Sequence, residues 1–524
     1  MGLVRSGGRT PLRVNSVASE TQDEISVLFV KHQTLRNILL FFSAVSLAKG
    51  LGIVSTLLLA MLLTPGEYGI FITLQLVNSY SPILCLGTME TLVKNYPYHV
   101  GKGDTFEAQR LESTVYGSIV LASGFVLVLG IPAIIGLSHR LDRIVLAALG
   151  MVVLVSSIDF FTTFAYTRSM AHQEFGLTSI FETVRAVLTL ALVVPLAYRF
   201  HLLGAMVGYF LSSLVKNLLA MRMVNRKCGK VRFHINRSDL YECIRIGLPI
   251  SLIFWLFTIQ QTIDRAVSMV LLGSVMTGYY GLGTRVVSTL AVIPVSAGRV
   301  LYPRISEELG RGSDKAMLEG LVMKPTLALA TFIAPLIGLG VTVLPKLYEV
   351  FFPKYLPGVV SAQILLVGFF FTCQFRNGLN YLLAANRQRL VLFFSFISVV
   401  VSVLLQVGLV KAGFGISGIA LGTACAGLLL TVLIWYTTLS DLGYGLRNIG
   451  LGFVKLYSPF VTLLTGPLVF AYALAKVCEV NSQLVVSLLY AVFTCAFALH
   501  PHHRREILGL FDRMKRSLRF RAGS

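Results

Sequence analysis

Charge is scarce in this sequence, and negative charge is the scarcest. Only 13% of the 524 residues are charged, with 24 acidic residues against 45 basic ones, while 55% of the chain is hydrophobic. A soluble globular protein cannot have this composition, because it lacks the polar groups needed to cover its surface. The sequence therefore indicates a membrane protein that crosses the bilayer many times, without a sizeable soluble domain.

The residue clusters that metals, disulfides and catalysis require are also missing. The seven cysteines form no CxxC pair and lie mostly in apolar runs, where cysteine behaves as a small hydrophobic residue. The nine histidines form no HExxH motif, and no DxD motif, nucleotide-binding glycine loop or Ser/His/Asp arrangement occurs. We therefore expect no cofactor, no metal and no enzymatic activity. Residues 1–36 are polar and mixed in charge, so we expect no cleavable signal.

Apolar runs long enough to cross a bilayer recur along the chain. They predict an all-α membrane protein with about 14 transmembrane helices. Twelve of these form two pseudo-symmetric six-helix lobes around a central cavity, and two more follow at the C-terminal end. The predicted helices are 37–63, 68–93, 111–137, 143–167, 175–198, 201–222, 243–272, 279–303, 321–344, 358–384, 389–410, 413–439, 453–475 and 482–499.

The polar segments fix the order of the parts and their orientation. If the N-terminus is cytosolic, most of the 45 basic residues fall in cytosolic segments, as the positive-inside rule requires. We therefore predict that both termini are cytosolic. We also predict that the protein is a monomer in the cell (inner) membrane. The net charge of +21 favours anionic lipids, not nucleic acid, as partners. The predicted parts are a cytosolic segment (1–36), an N-terminal lobe (37–222), a basic linker (223–242), a C-terminal lobe (243–439), two helices (450–500) and a basic amphipathic tail (501–524).

Short motifs recur at a nearly constant distance, which indicates an internal repeat. The offsets are 212 to 215 positions at three of the four motif pairs. Because each repeat holds six spans, the lobes have the same orientation and are related by an axis along the membrane normal. The pairs are Tyr68-Gly69 with Tyr280-Gly281, Tyr96-Pro97 with Tyr302-Pro303, residues 166–173 with 381–388, and Gly204-Ala205 with Gly418-Ile419.

Polar residues interrupt the apolar stretch Ile259–Leu272, around which we expect the rest of the chain to be organised. An ionised side chain at membrane depth costs about 2.5–3.5 kcal/mol on insertion scales, so it usually faces a bundle interior or a water-filled cavity. Helical spacing places Gln260, Gln261 and Asp264 on one face, next to Arg265. We expect this face to line a central cavity.

Cations predominate among the other charges at membrane depth. Lys49 and Arg285 lie in predicted spans that contain no acid, and Arg376 has no acid nearby in sequence. Water or an anionic substrate would offset the cost of burying such charges, and guanidinium groups bind phosphate oxygens in pairs. We therefore predict a phosphate or pyrophosphate substrate attached to a hydrated glycan. The predicted substrate-binding residues are Lys49, Arg265, Arg285, Arg376, Gln260, Gln261, Asn380 and Arg299.

Three acids at membrane depth are candidates for coupling transport to an ion gradient. Asp264 lies in the outer half of its span, and Asp159 and Glu182 lie in the inner part. A proton or sodium ion is the ion expected. The alternative is structural, because Glu182 and Arg185 are i, i+3 neighbours that form an ion pair on one helix, which Asp159 could join.

Several motifs resemble polysaccharide-export flippases over most of the chain. This Wzx-like family of O-antigen and exopolysaccharide flippases belongs to the multidrug/oligosaccharidyl-lipid/polysaccharide exporter superfamily. The resemblance implies two six-helix lobes that carry a polyprenyl-diphosphate-linked oligosaccharide to the outer leaflet, usually coupled to an ion gradient. It also supports Asp264 and Arg265 as a matching pair, and the count of fourteen spans resembles the lipid II branch. The motifs are LLTPGEYGIF (62–71), QQTIDRAVSMVLLG (260–273), GYYGLGTR (278–285), FFPKYLPGV (351–359), LLAANRQR (382–389) and GFGISGIALGTA (413–424).

Two other functions are open. A drug/cation antiporter of the same superfamily would need carboxylates facing its cationic substrate, whereas cations outnumber acids within these spans. A membrane polymerase or ligase acting on lipid-linked glycans would need a sizeable outer loop for catalysis, and the predicted outer connections are short. The sequence therefore favours the flippase.

Overall fold

The computed structural model describes residues 48–477, with 486, 487, 489–492 and 494, and every regular element among them is helical. The predicted segment 1–36, most of the last predicted helix and the tail 501–524 therefore lie outside the described residues. The helices are α1 Ala48–Leu62, α2 Pro65–Tyr80, α3 Thr88–Gly101, α4 Thr105–Leu137, α5 Arg143–Ala171, α6 Phe175–Leu188, α7 Val194–Cys228, α8 Arg237–Gln260, α9 Ile263–Leu290, α10 Val292–Gly310, α11 Lys315–Phe351, α12 Val359–Ala384, α13 Gln388–Leu409, α14 Gly415–Asp441, α15 Leu446–Pro459 and α16 Gly466–Val477.

Nine helical stretches in the described part are long and apolar enough to cross a membrane, or ten if the bent pair Pro65–Cys85 and Thr88–Gly101 is one span. Three of the nine contain 48 to 54 residues: Gly176–Cys228, Ile263–Gly310 and Gln388–Asp441. A straight helix of that length would measure about 70–80 Å, more than twice the hydrocarbon core of a bilayer. The all-helical membrane fold is confirmed, and the total of 14 spans stays a prediction.

The backbone breaks within these long stretches, at the junctions that the sequence predicts. His201 has φ of 51°, at the start of the predicted helix 201–222. Gly413 and Gly415 have φ of 90° and 53°, at the start of the predicted helix 413–439. Gly273 has φ of 81° and reverses the chain between the two parts of α9. Left-handed backbone costs glycine little, so glycine forms two of these three turns.

The polar stretch Ile259–Leu272 differs from the continuous helix that we expected. Helix α8 ends at Gln260, and α9 begins at Ile263 after a non-helical Thr262 with φ of −133°. Threonine is favoured just before a helix, and an acid such as Asp264 is stabilised in the first turn. Apolar periodicity suggested one helix, but these residues begin a new one.

The two halves of the chain, α1–α7 and α8–α14, approach each other closely at two places. An added Cβ on Gly69 would lie 1.8 Å from the Ser274 carbonyl oxygen, and one on Gly278 would lie 1.9 Å from that of Pro65. This is the α2–α9 contact. It lies near Thr64, which begins α2 with a capping box to Glu67. We call this end of the molecule the Thr64 end.

The second contact joins α3 to α8 and lies towards the linker 229–236, at what we call the linker end. Gly87 follows a 3₁₀ turn that interrupts the predicted span 68–93, and its φ is 82°. An added Cβ on Gly247 would lie 1.8 Å from the Gly87 carbonyl oxygen. One turn further along α3, the hydroxyl of Thr91 donates to the Cys243 carbonyl oxygen at 2.7 Å.

Matched turns in the two halves support the predicted repeat. Gln173 and Asn386 are 213 positions apart and have φ of 59° and 58°. His201 and Gly415 are 214 positions apart and have φ of 51° and 53°. Left-handed backbone is uncommon outside glycine, so two matches at this offset favour a common helical plan for both halves.

We expect Gly278→Val to separate the halves at the Thr64 end, because its side chain would overlap the Pro65 backbone. The measurement is the distance between spin labels at Tyr198 and Glu349, which should lengthen. Gly136→Val is the control, because nothing lies within 4 Å of an added Cβ there. An unchanged distance in the Gly278 variant would show that this contact does not hold the halves together.

Candidate functional site

A polar cavity of about 210 Å³ is lined by residues of the first half, with Arg285 contributed by the second half. Gln75 and Asn78 of α2 line it, and both lie between the glycine contacts at Gly69 and Gly87. The cavity therefore occupies the middle of the molecule. Its lining consists of Gly52, Ser55, Thr56, Leu59, Tyr68, Phe71, Gln75, Asn78, Ser79, Arg185, Ala186, Thr189, Tyr209 and Arg285.

The charged residues of this lining are two arginines, and it contains no acid. The guanidinium of Arg285 on α9 donates to the Gln75 side-chain oxygen on α2 at 3.1 Å, so this hydrogen bond joins the halves across the cavity. Arg185 comes from α6 and forms the expected i, i+3 ion pair with Glu182 at 2.7 Å. A lining of arginines, hydroxyls and amides favours an anion.

Lys49 lies close to this lining. It is on α1, three and seven residues before Gly52 and Thr56, which both line the cavity. Residues at this spacing share one face of a helix. Lys49 is therefore on the cavity-facing side of α1, one turn beyond the lining residues in the direction of the linker end.

Asp159 lies behind the cavity wall and holds three helices together. Its carboxylate on α5 forms an ion pair with Lys216 on α7 at 2.8 Å and accepts a hydrogen bond from Ser213. It also accepts one from the amide of Asn78 at 3.0 Å, and that amide contacts the Tyr209 hydroxyl at 3.0 Å. Asp159 thus bonds to α7 and α2, not to Arg185 as its depth suggested.

Asp264 lies within the second half of the chain, where its side chain is buried. One carboxylate oxygen accepts the Tyr280 hydroxyl at 2.7 Å, and the other accepts the backbone N–H of Arg265 at 2.8 Å. The guanidinium Nε of Arg265 is 3.7 Å from the same carboxylate. Asp264 therefore belongs to a polar cluster separate from the central cavity.

The described side chains of the other predicted substrate residues lie outside the cavity lining. Gln260 donates to the Ser398 hydroxyl at 3.0 Å, and Asn380 donates to the Gly298 carbonyl oxygen at 2.9 Å. Arg376 packs beside the same glycine. Gln261 is exposed, and its carbonyl oxygen accepts from Arg265 at 2.6 Å. The backbone of Arg299 lies in α10, and its side chain is outside the described part.

Sequence reasoning missed an ion pair between the halves at the linker end. Arg110 on α4 donates two hydrogen bonds to the carboxylate of Asp239 on α8, at 2.8 and 2.7 Å. Glu107 also accepts from Arg110, at 3.1 Å. The pair fastens α4 to α8 close to the α3–α8 contact. These residues lie in polar segments 129 positions apart, so no local spacing connects them.

A second missed cluster lies inside the first half. Arg168 of α5 is 1% exposed and pairs with the buried Glu112 of α4. Arg168 also donates to the Asn225 side chain at 2.9 Å and to the Cys228 carbonyl oxygen at 3.1 Å, which anchors the end of α7. The signal in the sequence was Glu112 itself, an acid at the start of an apolar run.

We expect Asp159→Asn to destabilise the protein by up to about 3 kcal/mol, because it leaves the largely enclosed Lys216 charge without its carboxylate. Thermal unfolding in detergent measures the effect, and Asp159→Asn with Lys216→Met should recover most of the loss. The control is Glu182→Gln, which breaks a more exposed pair and should cost about 0–1 kcal/mol. Equal losses in Asp159→Asn and Glu182→Gln would contradict the structural role.

Comparison with known proteins places this arrangement in a family. The family described as polysaccharide biosynthesis protein matches residues 34–308, more than half of the chain. The chain covers 99% of the lipid II flippase MurJ in its inward closed conformation, with 13% identity, a TM-score of 0.66 and 88% of this chain aligned. No curated protein sequence matches the chain.

Two further solved structures share the fold. An inward-facing MATE multidrug resistance transporter of the MOP superfamily aligns with a TM-score of 0.59 and 13% identity, over 77% of this chain and 98% of its own. A MOP superfamily transporter from Pyrococcus furiosus, described for the reverse polarity of its binding pocket, aligns at 0.51 and 14%, over 78% and 94%. The resemblance found in the sequence is thereby confirmed: the chain belongs to the polysaccharide biosynthesis protein family and has the fold of these membrane transporters.

Proposed function

We propose that this protein is a flippase. It moves a polyprenyl-diphosphate-linked oligosaccharide from the cytosolic to the outer leaflet of the cell membrane, by alternating access coupled to an ion gradient. In this proposal the linker end faces the cytosol, as its basic residues favour, and anionic lipids surround it. The lipid II flippase MurJ, which has the same fold, supports a lipid-linked glycan as the substrate class.

The observation that carries the proposal is the charge of the central cavity. Its lining contains Arg185 and Arg285 and no acid, and Lys49 lies on the adjoining face of α1. Guanidinium groups bind phosphate oxygens through paired hydrogen bonds, so a diphosphate suits this cavity. Serine, threonine, asparagine and glutamine side chains between the arginines suit the hydroxyl groups of a sugar.

Alternating access follows from the size of the cavity and the contacts at its two ends. About 210 Å³ is less than the 300–1,000 Å³ of typical small-molecule pockets, so a lipid-linked glycan does not fit in this conformation. The halves must separate to admit it. Separation at Gly87 and Gly247 would open the linker end, and separation at Gly69 and Gly278 would open the Thr64 end.

The lining also argues against the two alternatives. A cationic drug would need a carboxylate in the cavity, and the lining residues include none. A polymerase or ligase would need a general base there to activate a hydroxyl nucleophile, and the lining contains no histidine, cysteine, aspartate or glutamate. Binding without covalent chemistry is the role that these residues support.

Asp264 is our candidate for the site of ion coupling. It is buried and held by a hydroxyl and a backbone N–H, so a proton or sodium ion could bind without entering the anionic substrate's cavity. Asp159 suits this role less well, because Lys216 lies only 2.8 Å from it, whereas the Arg265 guanidinium is 3.7 Å from Asp264. Glu182 is paired with Arg185 and is partly exposed.

We expect Lys49→Ala to reduce glycan flipping strongly, while the protein still inserts normally. Losing one contact to a charged group costs about 1.5–3 kcal/mol, or roughly one to two powers of ten in affinity. Lys49→Arg should retain part of the activity. Flipping of lipid-linked glycan in proteoliposomes is the measurement, and the exposed Lys455→Ala is the control. Wild-type flipping by Lys49→Ala would refute the cationic path.

We expect Asp264→Asn to remove the dependence of flipping on the ion gradient, because the amide cannot bind a proton or balance a sodium ion. The assay compares flipping in proteoliposomes with and without an imposed pH or sodium gradient. The variant should flip at the same rate in all conditions, whereas the wild type should respond to one gradient. A variant that keeps the wild-type response would eliminate Asp264 as the coupling residue.

A further inference from the structure

Helix α13 carries a row of polar side chains on the face that packs inside the second half of the chain. Ser395, Ser398, Ser402 and Gln406 follow one another at spacings of three and four residues, and each is at most 3% exposed. We call these four residues the polar file. The outer face of the same helix carries large apolar side chains such as Phe396 and Leu404, which are 57% and 66% exposed.

Part of the polar file lacks hydrogen-bond partners within the described protein. The Ser395 hydroxyl has none, and neither has the side-chain oxygen of Gln406. Both side-chain polar atoms of Gln374, on α12 of the same half, are buried without a partner as well. Each buried polar group left unsatisfied costs about 1–3 kcal/mol, which water or an ion at the site would offset.

The end of the polar file formed by Ser402 and Gln406 is hydrogen-bonded to the cluster around Asp264. The amide of Gln406 donates to Ser402 at 2.8 Å and to Thr423 at 3.1 Å. The Thr423 hydroxyl is 3.4 Å from that of Tyr280, which donates to Asp264 at 2.7 Å. A continuous chain of polar groups therefore runs from Ser402 to the buried carboxylate.

The other end of the polar file, formed by Ser395 and Ser398, extends towards the linker end. Gln406, near the end of α13, is linked through Thr423 to Tyr280 beside the Gly278 contact, so the start of α13 at Gln388 points towards the linker end. Ser395 lies about 10 Å along the helix axis from that start. The three serines of the file are separated along the axis by about 4.5–6 Å, and their short side chains do not reach one another for direct hydrogen bonds. One water molecule bridges a gap of this size. Ser398 also accepts from Gln260 at 3.0 Å, which keeps the row polar at mid-length.

We propose that the polar file is a hydrated route by which a small cation, a proton or a sodium ion, moves between Asp264 and the linker end. The route runs inside the second half of the chain, apart from the cavity that takes the anionic substrate. Two paths of opposite selectivity let the cation and the anion cross without neutralising each other. The purpose of the route rests on the proposed ion-coupled flipping, but its hydration and cation access do not.

The test is the reaction of cysteines in the polar file with silver ion, a small monovalent cation that binds thiols. The variants are Ser395→Cys, Ser398→Cys and Ser402→Cys, made in a full-length chain whose native cysteines are alanine and reconstituted in vesicles. Phe396→Cys and Leu404→Cys are matched controls at similar depths on the lipid-facing side. We expect file cysteines to react at least ten times faster than the controls. Equal rates would overturn the proposal.

Two additions keep the outcome decisive. If the cysteine-free chain does not fold, the same substitutions are made in the native chain, and peptide mass spectrometry reads the modification of α13 separately. The silver reaction is then compared in the presence of sodium and of choline, which is the control cation. Slower modification of Ser402→Cys in sodium indicates a sodium route, whereas an unchanged fast rate indicates a water-filled proton route. No glycan is flipped in this assay, so its result is independent of the substrate proposed for the cavity.

Discussion

Close backbone contact between the two halves is the constraint on which the rest of the structure depends. At Gly69 and Gly278, and again at Gly87 and Gly247, any side chain would overlap a neighbouring carbonyl group. These contacts place α2 and α3 of one half directly against α8 and α9 of the other. The Arg285–Gln75 hydrogen bond at the cavity joins α9 to α2 because these two helices approach so closely.

The cavity lining and the helices behind it carry their charges differently. The partly buried Asp159 and the buried Glu112 are neutralised within the first half by Lys216 and Arg168. These pairs fix the helices of that half to one another. The arginines of the cavity lining have no acid beside them within that lining, although Arg185 keeps Glu182 as a partner behind it. The cavity is thus positive while the wall behind it is close to neutral.

The sequence predicted what depends on local pattern. Apolar runs marked the helices, and the predicted helix start at residue 413 coincides with a break in the backbone, because this signal acts over a few residues. The Glu182–Arg185 pair followed from i, i+3 spacing. The Asp159–Lys216 pair did not, because its members lie on different helices and 57 positions apart. Only the packing of α5 against α7 brings them together.

The stretch Ile259–Leu272 shows the limit of periodicity. Its polar residues fall on one face of an ideal helix, so the pattern predicted a single wet face. In the structure, Thr262 and Asp264 end that regularity through hydrogen bonds to Thr258 and to the Arg265 backbone. Side chains that can bond to the backbone compete with the helix, and a hydropathy pattern does not register this competition.

The two ends of the molecule are closed by different kinds of force. At the Thr64 end the halves meet through glycine backbone, whereas at the linker end the partly exposed Arg110–Asp239 pair adds a charged fastening. Dissolved salt screens exposed charges over about 8 Å at physiological ionic strength and leaves apolar contact almost unaffected. The contact at the linker end is therefore the more sensitive of the two to the ionic strength of the surrounding solution.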